Sequence, residues 1–415
     1  MKRRVETSRT NAYVVAALAS IVTVAIIAMP EVSFAASLEG LRVWWEVVFP
    51  ALLPFFILSD ALMALGVVHY IGALLEPLMR PLFGVPGVGA FAFAMGLASG
   101  YPIGARITAR LRREGMCSQI EAERLVSFTN TADPLFMVGA VAVGMFRMPS
   151  LGGILASAHY ISAVILGMAL KWYGRPDGNN RRGERYRSEE PLLSRAAHEL
   201  YTARRQDGRS VGQVFGDSVR DSVNTLLLIG GCIMVFSVIV QVLGVIQVTE
   251  LLSVPLRWIL VPLGMSKQLL PSIISGVFEI TIGTEVASRA AAPLVQKAVV
   301  SSAIIAWSGL SVLAQVASMV HGTDIRLKPY CMARLAHAFL AGSCALVLIR
   351  LFPSSVAAAS FAETALLGRP GFLWGFARSI ASAAVAFGLL GLTAAAVASA
   401  RLPRTAVFRV RKRAR

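Results

Sequence analysis

The feature that most constrains this chain is an apolar stretch, residues 82–106, that glycine and proline interrupt along its whole length. The stretch contains eight glycines and prolines, which would destabilise one continuous helix. Non-helical backbone survives within a bilayer only where protein buries it or where it lines a polar cavity. We therefore predict a re-entrant hairpin that turns near residues 99–102 and leaves the membrane on the side where it entered.

A second broken apolar stretch, residues 267–289, carries two carboxylates, Glu279 and Glu285. Paired interrupted segments in the two halves of a membrane protein are the sequence feature that best indicates a transporter's substrate site. The two stretches therefore predict two re-entrant hairpins that meet around one polar pocket.

The composition is typical of a membrane protein. Of the 415 residues, 56% are hydrophobic and 15% are charged, whereas soluble domains are about 25% charged. The formal net charge of +17 comes from basic residues clustered in a few loops and in the C-terminal tail, which is the pattern of cytoplasmic segments. We therefore predict the lipid bilayer as a partner, no nucleic-acid partner, and both termini in the cytoplasm.

The apolar runs predict an all-α polytopic membrane protein with about eight transmembrane helices. The first run is either a retained helix or a cleaved signal peptide, because small residues follow it. Residues 321–334 are predicted to form a loop, and Glu76 with the prolines beside it is predicted to end the second span. The predicted spans are residues 11–29, 47–75, 125–146, 151–170, 223–248, 298–320, 335–352 and 375–400.

An internal duplication relates the two halves at an offset of 178 residues. At this offset His159 falls on His337 and Pro77 falls on Pro255. Each unit contains an odd number of crossings, so the second copy must be inverted relative to the first. The predicted segments are an N-terminal helix at 1–35, a first repeat at 40–172, a basic cytoplasmic linker at 173–221, a second repeat at 222–352, a C-terminal helix at 353–400 and a basic tail at 401–415.

Opposed hairpins place a site near the midplane of the membrane, where half-helix N-termini direct positive dipole ends at anionic groups. Asn130 falls on Ser308 at the same offset, so the interrupted spans present polar groups at matching depth. The candidate substrate-binding residues are Ser99, Gly100, Tyr101, Thr129, Asn130, Thr131, Asp133, Glu279, Thr281, Thr284, Ser308 and Ser311, with Glu285 and Gln315 as further lining groups.

The charged candidates have structural alternatives. Glu279 serves substrate binding or ion coupling, or it binds backbone N–H groups that stabilise the hairpin. Asp133 is either a ligand or the N-cap of the following half-helix. Arg106 either anchors the hairpin at the interface, which is the expected role, or pairs with an anionic substrate. His159 and His337 are expected to pack with one hydrogen-bonded nitrogen each. Neither a G-x-S-x-G nor an H-E-x-x-H motif is present and no C-x-x-C pair occurs, so we predict no enzyme activity and no metal site.

Several segments resemble a known family. They are G-L-R-V-W-W-E-V-V-F-P-A-L-L-P-F-F-I-L-S at 40–59, L-L-E-P-L-M-R-P-L-F-G-V-P-G-V-G at 74–89, M-G-L-A-S-G-Y-P-I-G-A at 95–105 and E-A-E-R-L-V-S-F-T-N-T-A-D-P-L-F at 121–136. They resemble the YlbJ (SpoVV) family of sporulation integral membrane proteins, which carries the nucleoside-recognition gate domain. The family is similar in plan to concentrative nucleoside transporters. Its hairpin motif falls on residues 99–102, and its interrupted-helix motif falls on Thr129, Asn130 and Asp133.

The resemblance implies a role in sporulation and movement of dipicolinic acid, a small planar dianion, across the outer forespore membrane. Glu279 would repel this anion unless it were protonated or paired with a cation. H⁺ or Na⁺ is therefore a candidate coupling ion, and no other cofactor is expected. Two other functions stay open: a nucleoside or nucleobase carrier, and a non-transporting membrane scaffold for sporulation complexes. The oligomeric state is open too, with a homo-oligomer as one alternative.

Overall fold

The computed structural model describes residues 9–174 and 192–352. Within these residues the chain forms helices and no β-strand. Four helices are long and apolar enough to cross a membrane, and the number rises to six if each of two bent helix pairs is one span. The chain is therefore an all-α polytopic membrane protein, as predicted. The predicted C-terminal helix at 353–400 and the basic tail at 401–415 lie outside the described residues, so the count of eight stays a prediction.

The first half of the described chain runs from α1 to α8. Two π-helical segments interrupt it, Trp44–Val48 and Leu135–Met145. The α-helices are α1 Arg9–Ala28, α2 Pro30–Val43, α3 Phe49–Ala64, α4 Val67–Phe83, α5 Gly89–Ser99, α6 Ile103–Arg113, α7 Gln119–Thr129 and α8 Pro149–Leu170.

The second half runs from α9 to α16 and includes one 3-10 turn, Lys267–Leu269. Its longest helix, α10, packs along α2 and α3, and the indole N–H of Trp44 donates to the carbonyl of Leu226 at 2.9 Å. The helices are α9 Leu192–Asp207, α10 Val211–Val245, α11 Val248–Leu260, α12 Leu270–Phe278, α13 Ile280–Arg289, α14 Leu294–Trp307, α15 Gly309–Val320 and α16 Leu327–Leu351.

Helix bounds in the two halves recur near the predicted offset of 178 residues. Shifted by this offset, α8 covers 327–348 and overlaps α16, which spans Leu327–Leu351. The shifted α5 covers 267–277, which matches the 3-10 turn and α12 together. This recurrence is consistent with two related units, while the duplication and its inverted orientation stay predictions.

The structure corrects three predicted boundaries. The second span does not run from 47 to 75 as one helix, because Gly66 adopts a left-handed φ of 81° and the chain bends by 82° between α3 and α4. Glu76 does not end the helix either: α4 continues to Phe83, and Glu76 accepts a hydrogen bond from Arg80 Nε and one from the backbone N–H of Gly87. Residues 321–334 are not all loop, since α16 begins at Leu327.

The first hairpin consists of α5 and α6, joined at residues 100–102 where the sequence predicts the turn. Its second arm is longer than predicted and reaches Arg113. One glycine in each arm allows that arm to pack directly against the end of α7. A Cβ added to Gly96 would lie 1.8 Å from the carbonyl oxygen of Thr129, and one added to Gly104 would lie 2.3 Å from it. The hairpin tip is thereby fixed against the break in the next helix.

The mouth of the first hairpin lies at the basic end, the end of the molecule where Arg112, Arg124 and Arg326 lie. Arg124 donates to the carbonyl of Gly84 at 2.7 Å, and Arg112 pairs with Asp324 at 2.7 Å. These contacts hold the start of the first arm and the end of the second arm at one end of the molecule.

A buried carboxylate, Glu123, ties the two halves together at the basic end. It accepts from Arg326 Nε at 2.7 Å and from the hydroxyl of Tyr173 at 2.8 Å. Burial alone would raise the pKa of Glu123, but the hydrogen bonds from Arg326 and Tyr173 outweigh it and hold this pKa below its ordinary value. The carboxylate is therefore held in its charged form between α7 and the start of α16.

The second hairpin, α12 and α13, has its mouth at the opposite end. The backbone N–H of Ser266 donates to Gln296 at 2.8 Å, and Lys297 donates to the carbonyl of Ser288 at 2.8 Å. Both partners lie in the first turn of α14. The membrane-length element that α14 begins, Leu294–Val320, ends next to the basic end. The two hairpins thus enter from opposite ends of the molecule.

We predict that Gly96→Ala destabilises the fold, because the added methyl group has only backbone to displace. Overpacking of a core costs about 1–3 kcal/mol, so the unfolding temperature of the detergent-solubilised protein should fall clearly. The matched control is Gly153→Ala in α8, where an added Cβ meets nothing within 4 Å and alanine favours the helix. Equal unfolding temperatures for the two variants would contradict the proposed packing of the hairpin.

Candidate substrate cavity

Each half of the chain contains one helical element that is interrupted at a single point, where the helical hydrogen bonds are lost. In the first half the break runs from Asn130 to Pro134, between α7 and the π-helical segment. In the second half it falls at Ser308, which has a left-handed φ of 72° and separates α14 from α15. Each break leaves backbone donors and acceptors that must be satisfied inside the protein. Four half-helix ends therefore meet near the hairpin tips.

Carboxylates cap two of the exposed N-termini. Asp133 accepts from the backbone N–H of Phe136 at 2.8 Å, and Glu279 accepts from that of Ile282 at 2.8 Å. Glu279 is 5% exposed and has the extended backbone of an N-cap. A negative charge at a helix N-terminus is stabilised by the helix dipole. Asp133 thus makes the N-cap contact, and Glu279 the contact to backbone N–H groups, that the sequence analysis gives as their structural alternatives.

A cavity of about 620 Å³ lies between the two hairpin tips and the two breaks. The first tip contributes Tyr101, and the second contributes Glu279 and Thr281. Two isoleucines of α10 and residues of the segment 46–50 also line it. The lining residues are Glu46, Val48, Pro50, Tyr101, Ala132, Asp133, Leu135, Phe136, Gly139, Ala140, Ile229, Ile233, Glu279, Ile280, Thr281, Ser311, Val312 and Gln315.

Among the described residues, the cavity lining contains three carboxylates, Glu46, Asp133 and Glu279, and neither lysine nor arginine. Glu46 is compensated by Arg42 at 3.2 Å on an exposed helix face, and the other two are compensated by helix N-termini. Ser311 adds a hydroxyl that is 1% exposed and has no hydrogen-bond partner among the described residues. The cavity therefore offers a polar floor with acceptors and a free hydroxyl, within mainly apolar walls.

Arg334 lies behind the cavity wall and binds the C-terminal ends of both broken helices. Its guanidinium donates to the carbonyls of Ser127 and Asn130 at the end of α7 and to that of Ala306, at 3.3 Å, near the end of α14. Arg334 is 1% exposed, and no ion pair joins it to a carboxylate within the described residues. One buried cation therefore neutralises the negative dipole ends of two half-helices.

The polar partners of Arg334 connect the two units. The side-chain amide of Asn130 donates to the hydroxyl of Tyr330 at 2.8 Å. Tyr101 donates from the first hairpin tip to the carbonyl of Ile305 at 2.9 Å. These contacts fix the first tip and the first break to α14 and α16 of the second half.

The two histidines related by the predicted offset are in contact. Their ring centroids lie 4.7 Å apart. His159 Nε2 accepts from the backbone N–H of Ala132 at 3.0 Å, and His337 Nε2 lies 3.1 Å from the carbonyl oxygen of His159. The Nδ1 atom of each ring has no partner among the described residues. Both histidines are therefore packing residues with one hydrogen-bonded nitrogen each.

The structure brings some predicted site residues to the cavity and places others behind it. Tyr101, Asp133, Glu279, Thr281 and Ser311 line the cavity, as does Gln315. The remaining seven are absent from its lining and are buried at or near the breaks and tips: Ser99, Gly100, Thr129, Asn130, Thr131, Thr284 and Ser308.

Two charged candidates lie away from the cavity. Glu285 is exposed and pairs with Arg289 at 2.5 Å, one turn along α13. Arg106 pairs with Asp60 at 2.6 Å and stacks on the ring of Phe56. Arg106 therefore anchors the second arm of the first hairpin to α3.

Sequence reasoning missed Glu46, Tyr330 and Arg334. Arg334 was placed at the edge of a loop, because it follows other basic residues near 326–328. A helical signal was available, since Tyr330, Arg334 and His337 recur at intervals of four and three residues and so share one helix face. Among the described residues, no group of three or more His, Cys, Asp or Glu side chains is arranged to hold a metal ion.

Comparison with known proteins identifies the family. Residues 45–169 match the family model described as Gate, nucleoside recognition, and this range contains the first hairpin and the first break. The sporulation integral membrane protein YlbJ of Bacillus subtilis (strain 168) is 48% identical over 328 residues, which cover 79% of this chain and 80% of that protein. This chain therefore belongs to the YlbJ family of sporulation integral membrane proteins.

Proposed function

We propose that the protein transports a small anionic metabolite, dipicolinic acid, across the outer forespore membrane during sporulation, with both termini on the cytoplasmic side. The observation that carries the proposal is the cavity between both hairpin tips and both helix breaks. Its volume of about 620 Å³ falls within the range of about 300–1,000 Å³ that is usual for small-molecule sites. Substrate sites at the meeting point of broken helices are the arrangement that transporters use.

The walls of the cavity suit a planar aromatic ligand. Two aromatic side chains, Phe136 and Tyr101, and two aliphatic ones, Ile229 and Ile233, line it. The hydroxyls of Thr281 and Ser311 and the amide of Gln315 supply donors for a carboxylate. A pyridine ring with two carboxylates would place its faces against the apolar walls and its oxygens against these donors.

The negative charge of the cavity lining implies that a cation accompanies an anionic substrate. A dianion would meet the carboxylates of Asp133 and Glu279 without a lysine or arginine in the lining. Like charges in a poorly solvated site repel strongly. A cation, H⁺ or Na⁺, is therefore proposed to enter with the substrate and to cancel this repulsion.

A nucleoside or nucleobase carrier is the second candidate. The matched family model is described as nucleoside recognition, and a cavity whose lining has acceptors but no basic side chain also suits a neutral ligand with N–H and O–H donors. In this case the carboxylates of Asp133 and Glu279 would accept hydrogen bonds from the ligand directly.

We predict that Glu279→Gln abolishes dipicolinate transport while the protein still folds. The amide oxygen of glutamine can still accept from the backbone N–H of Ile282, but the side chain no longer ionises. Uptake of labelled dipicolinate into proteoliposomes should fall at least about tenfold, which corresponds to about 1.4 kcal/mol of lost stabilisation.

The matched control for this variant is Glu285→Gln, on the same hairpin. Glu285 is exposed, pairs with Arg289 and is absent from the cavity lining, so its uptake should equal that of the unmodified protein. Wild-type uptake by Glu279→Gln would contradict a transport role for this carboxylate. No uptake by well-folded unmodified protein would favour the non-transporting scaffold.

We predict that dipicolinate raises the thermal unfolding temperature of the detergent-solubilised protein, and that uridine and adenosine do not. A ligand that binds only the folded state stabilises it by about 2.7 kcal/mol at a hundred times its Kd. The measurement compares the three compounds over the same concentration range and pH. Stabilisation by the nucleosides alone would reject the dipicolinate proposal in favour of the second candidate.

A further inference from the structure

The identity of the coupling cation can be inferred from the backbone carbonyls around the cavity. In transporters with broken helices, unwound carbonyls and the C-terminal ends of half-helices coordinate the coupling ion. A sodium ion needs several such oxygens at once. A sodium site near the cavity would therefore need several carbonyls without protein donors at the C-termini of α5, α7, α12 and α14.

Protein donors bind several of the carbonyls at the two breaks. Arg334 binds those of Ser127 and Asn130 at the end of α7 and that of Ala306 in α14. The hydroxyl of Tyr101 donates to the carbonyl of Ile305, also in α14, at 2.9 Å. A metal ion at either break would have to displace a buried guanidinium from these oxygens.

The ends of the hairpin arms are held in the same way. At the end of α12, the indole N–H of Trp307 donates to the carbonyl of Val277 at 3.1 Å. Near the end of α5, the hydroxyl of Tyr160 lies 3.3 Å from the carbonyl of Leu97 and 3.2 Å from that of Ala132. Each of the four half-helix C-termini near the cavity therefore has at least one carbonyl within hydrogen-bond distance of a protein donor.

The geometry points to Arg334 as a resident cation that takes the place of a coupling metal ion, so that the cation moving with the substrate is a proton. The inference rests on the proposed transport function. Arg334 is a positioning residue, because it acts through the carbonyls that it holds and lies behind the cavity lining. The proton carriers are Asp133 and Glu279, the two carboxylates in the lining that cap helix N-termini and are not paired with arginine.

The groups that face these two carboxylates are few. Across the cavity they meet Glu46, from the π-helical segment, and Tyr101, from the first hairpin tip; α10 and α15 add no titratable side chain to the lining. Behind the wall lie Tyr160, Tyr330, Arg334 and the histidine pair. Asp133 and Glu279 would each take one proton as the dianion enters and release it on the other side, so the loaded cavity gains no net charge.

The test uses the full chain in proteoliposomes, with labelled dipicolinate as substrate. We expect uptake to keep its initial rate, within about twofold, when all Na⁺ and K⁺ are replaced by choline on both sides. A pH gradient that is acidic on the loading side should increase uptake, and a protonophore should remove the increase. A rate that falls at least about tenfold in choline, or a rate that ignores the pH gradient, overturns the inference but leaves dipicolinate transport intact. No uptake under any condition overturns both.

Variants of Arg334 distinguish the proposed role from a merely structural one, because only the proposed role predicts a change in ion dependence. Without substrate, the unmodified protein should unfold at the same temperature in NaCl, KCl and choline chloride of equal ionic strength. A bound Na⁺ or K⁺ would stabilise the folded protein and raise this temperature, and the inference predicts that neither ion binds. Arg334→Ala frees the carbonyls, so its unfolding temperature should be lower and should rise with Na⁺, K⁺ or dilute guanidinium. Arg334→Lys should keep uptake that does not depend on Na⁺. Stabilisation of the unmodified protein by Na⁺ contradicts the inference even if Arg334→Ala does not fold.

Discussion

The structure depends on one constraint, which is that backbone broken inside a membrane must find all its hydrogen bonds within the protein. Two hairpins and two interrupted helices expose their ends in one small region. The two caps, Asp133 and Glu279, satisfy N-termini, and Arg334 satisfies C-termini. These N-termini and C-termini are matched to side chains of opposite sign, as the helix dipole favours.

The same contacts join the two units into one body. Arg334 belongs to α16, yet two of its acceptors lie in the first half of the chain. Tyr101 makes the reverse connection, from the first hairpin tip to Ile305. At the basic end, Glu123 and Arg326 form a further cross-link. The proposed transport would require movement of groups that bind one another across this interface, so these contacts bear on that proposal as well as on stability.

Much of this plan could be predicted from the sequence, because glycine and proline mark broken helices inside an apolar run. The turn at 100–102 and the break before Pro134 followed from that pattern. The caps by Asp133 and Glu279 were foreseen as alternatives, since an acidic residue before a half-helix is a local signal. The role of Arg334 could not be read in the same way. Its acceptors in the other half are about 200 residues away, and local sequence shows only a basic residue near a loop.

The central claim is that segments from both halves line one water-accessible cavity that binds the substrate. The most direct test places single cysteines at Thr281 and Ala140, which line the cavity, and at Val300, which is buried at 3% exposure, in a background without the four native cysteines. We predict that a membrane-impermeant thiol reagent labels the first two positions and not the third, and that dipicolinate protects both. Labelling of only one cavity position, or protection of one without the other, would contradict a shared cavity.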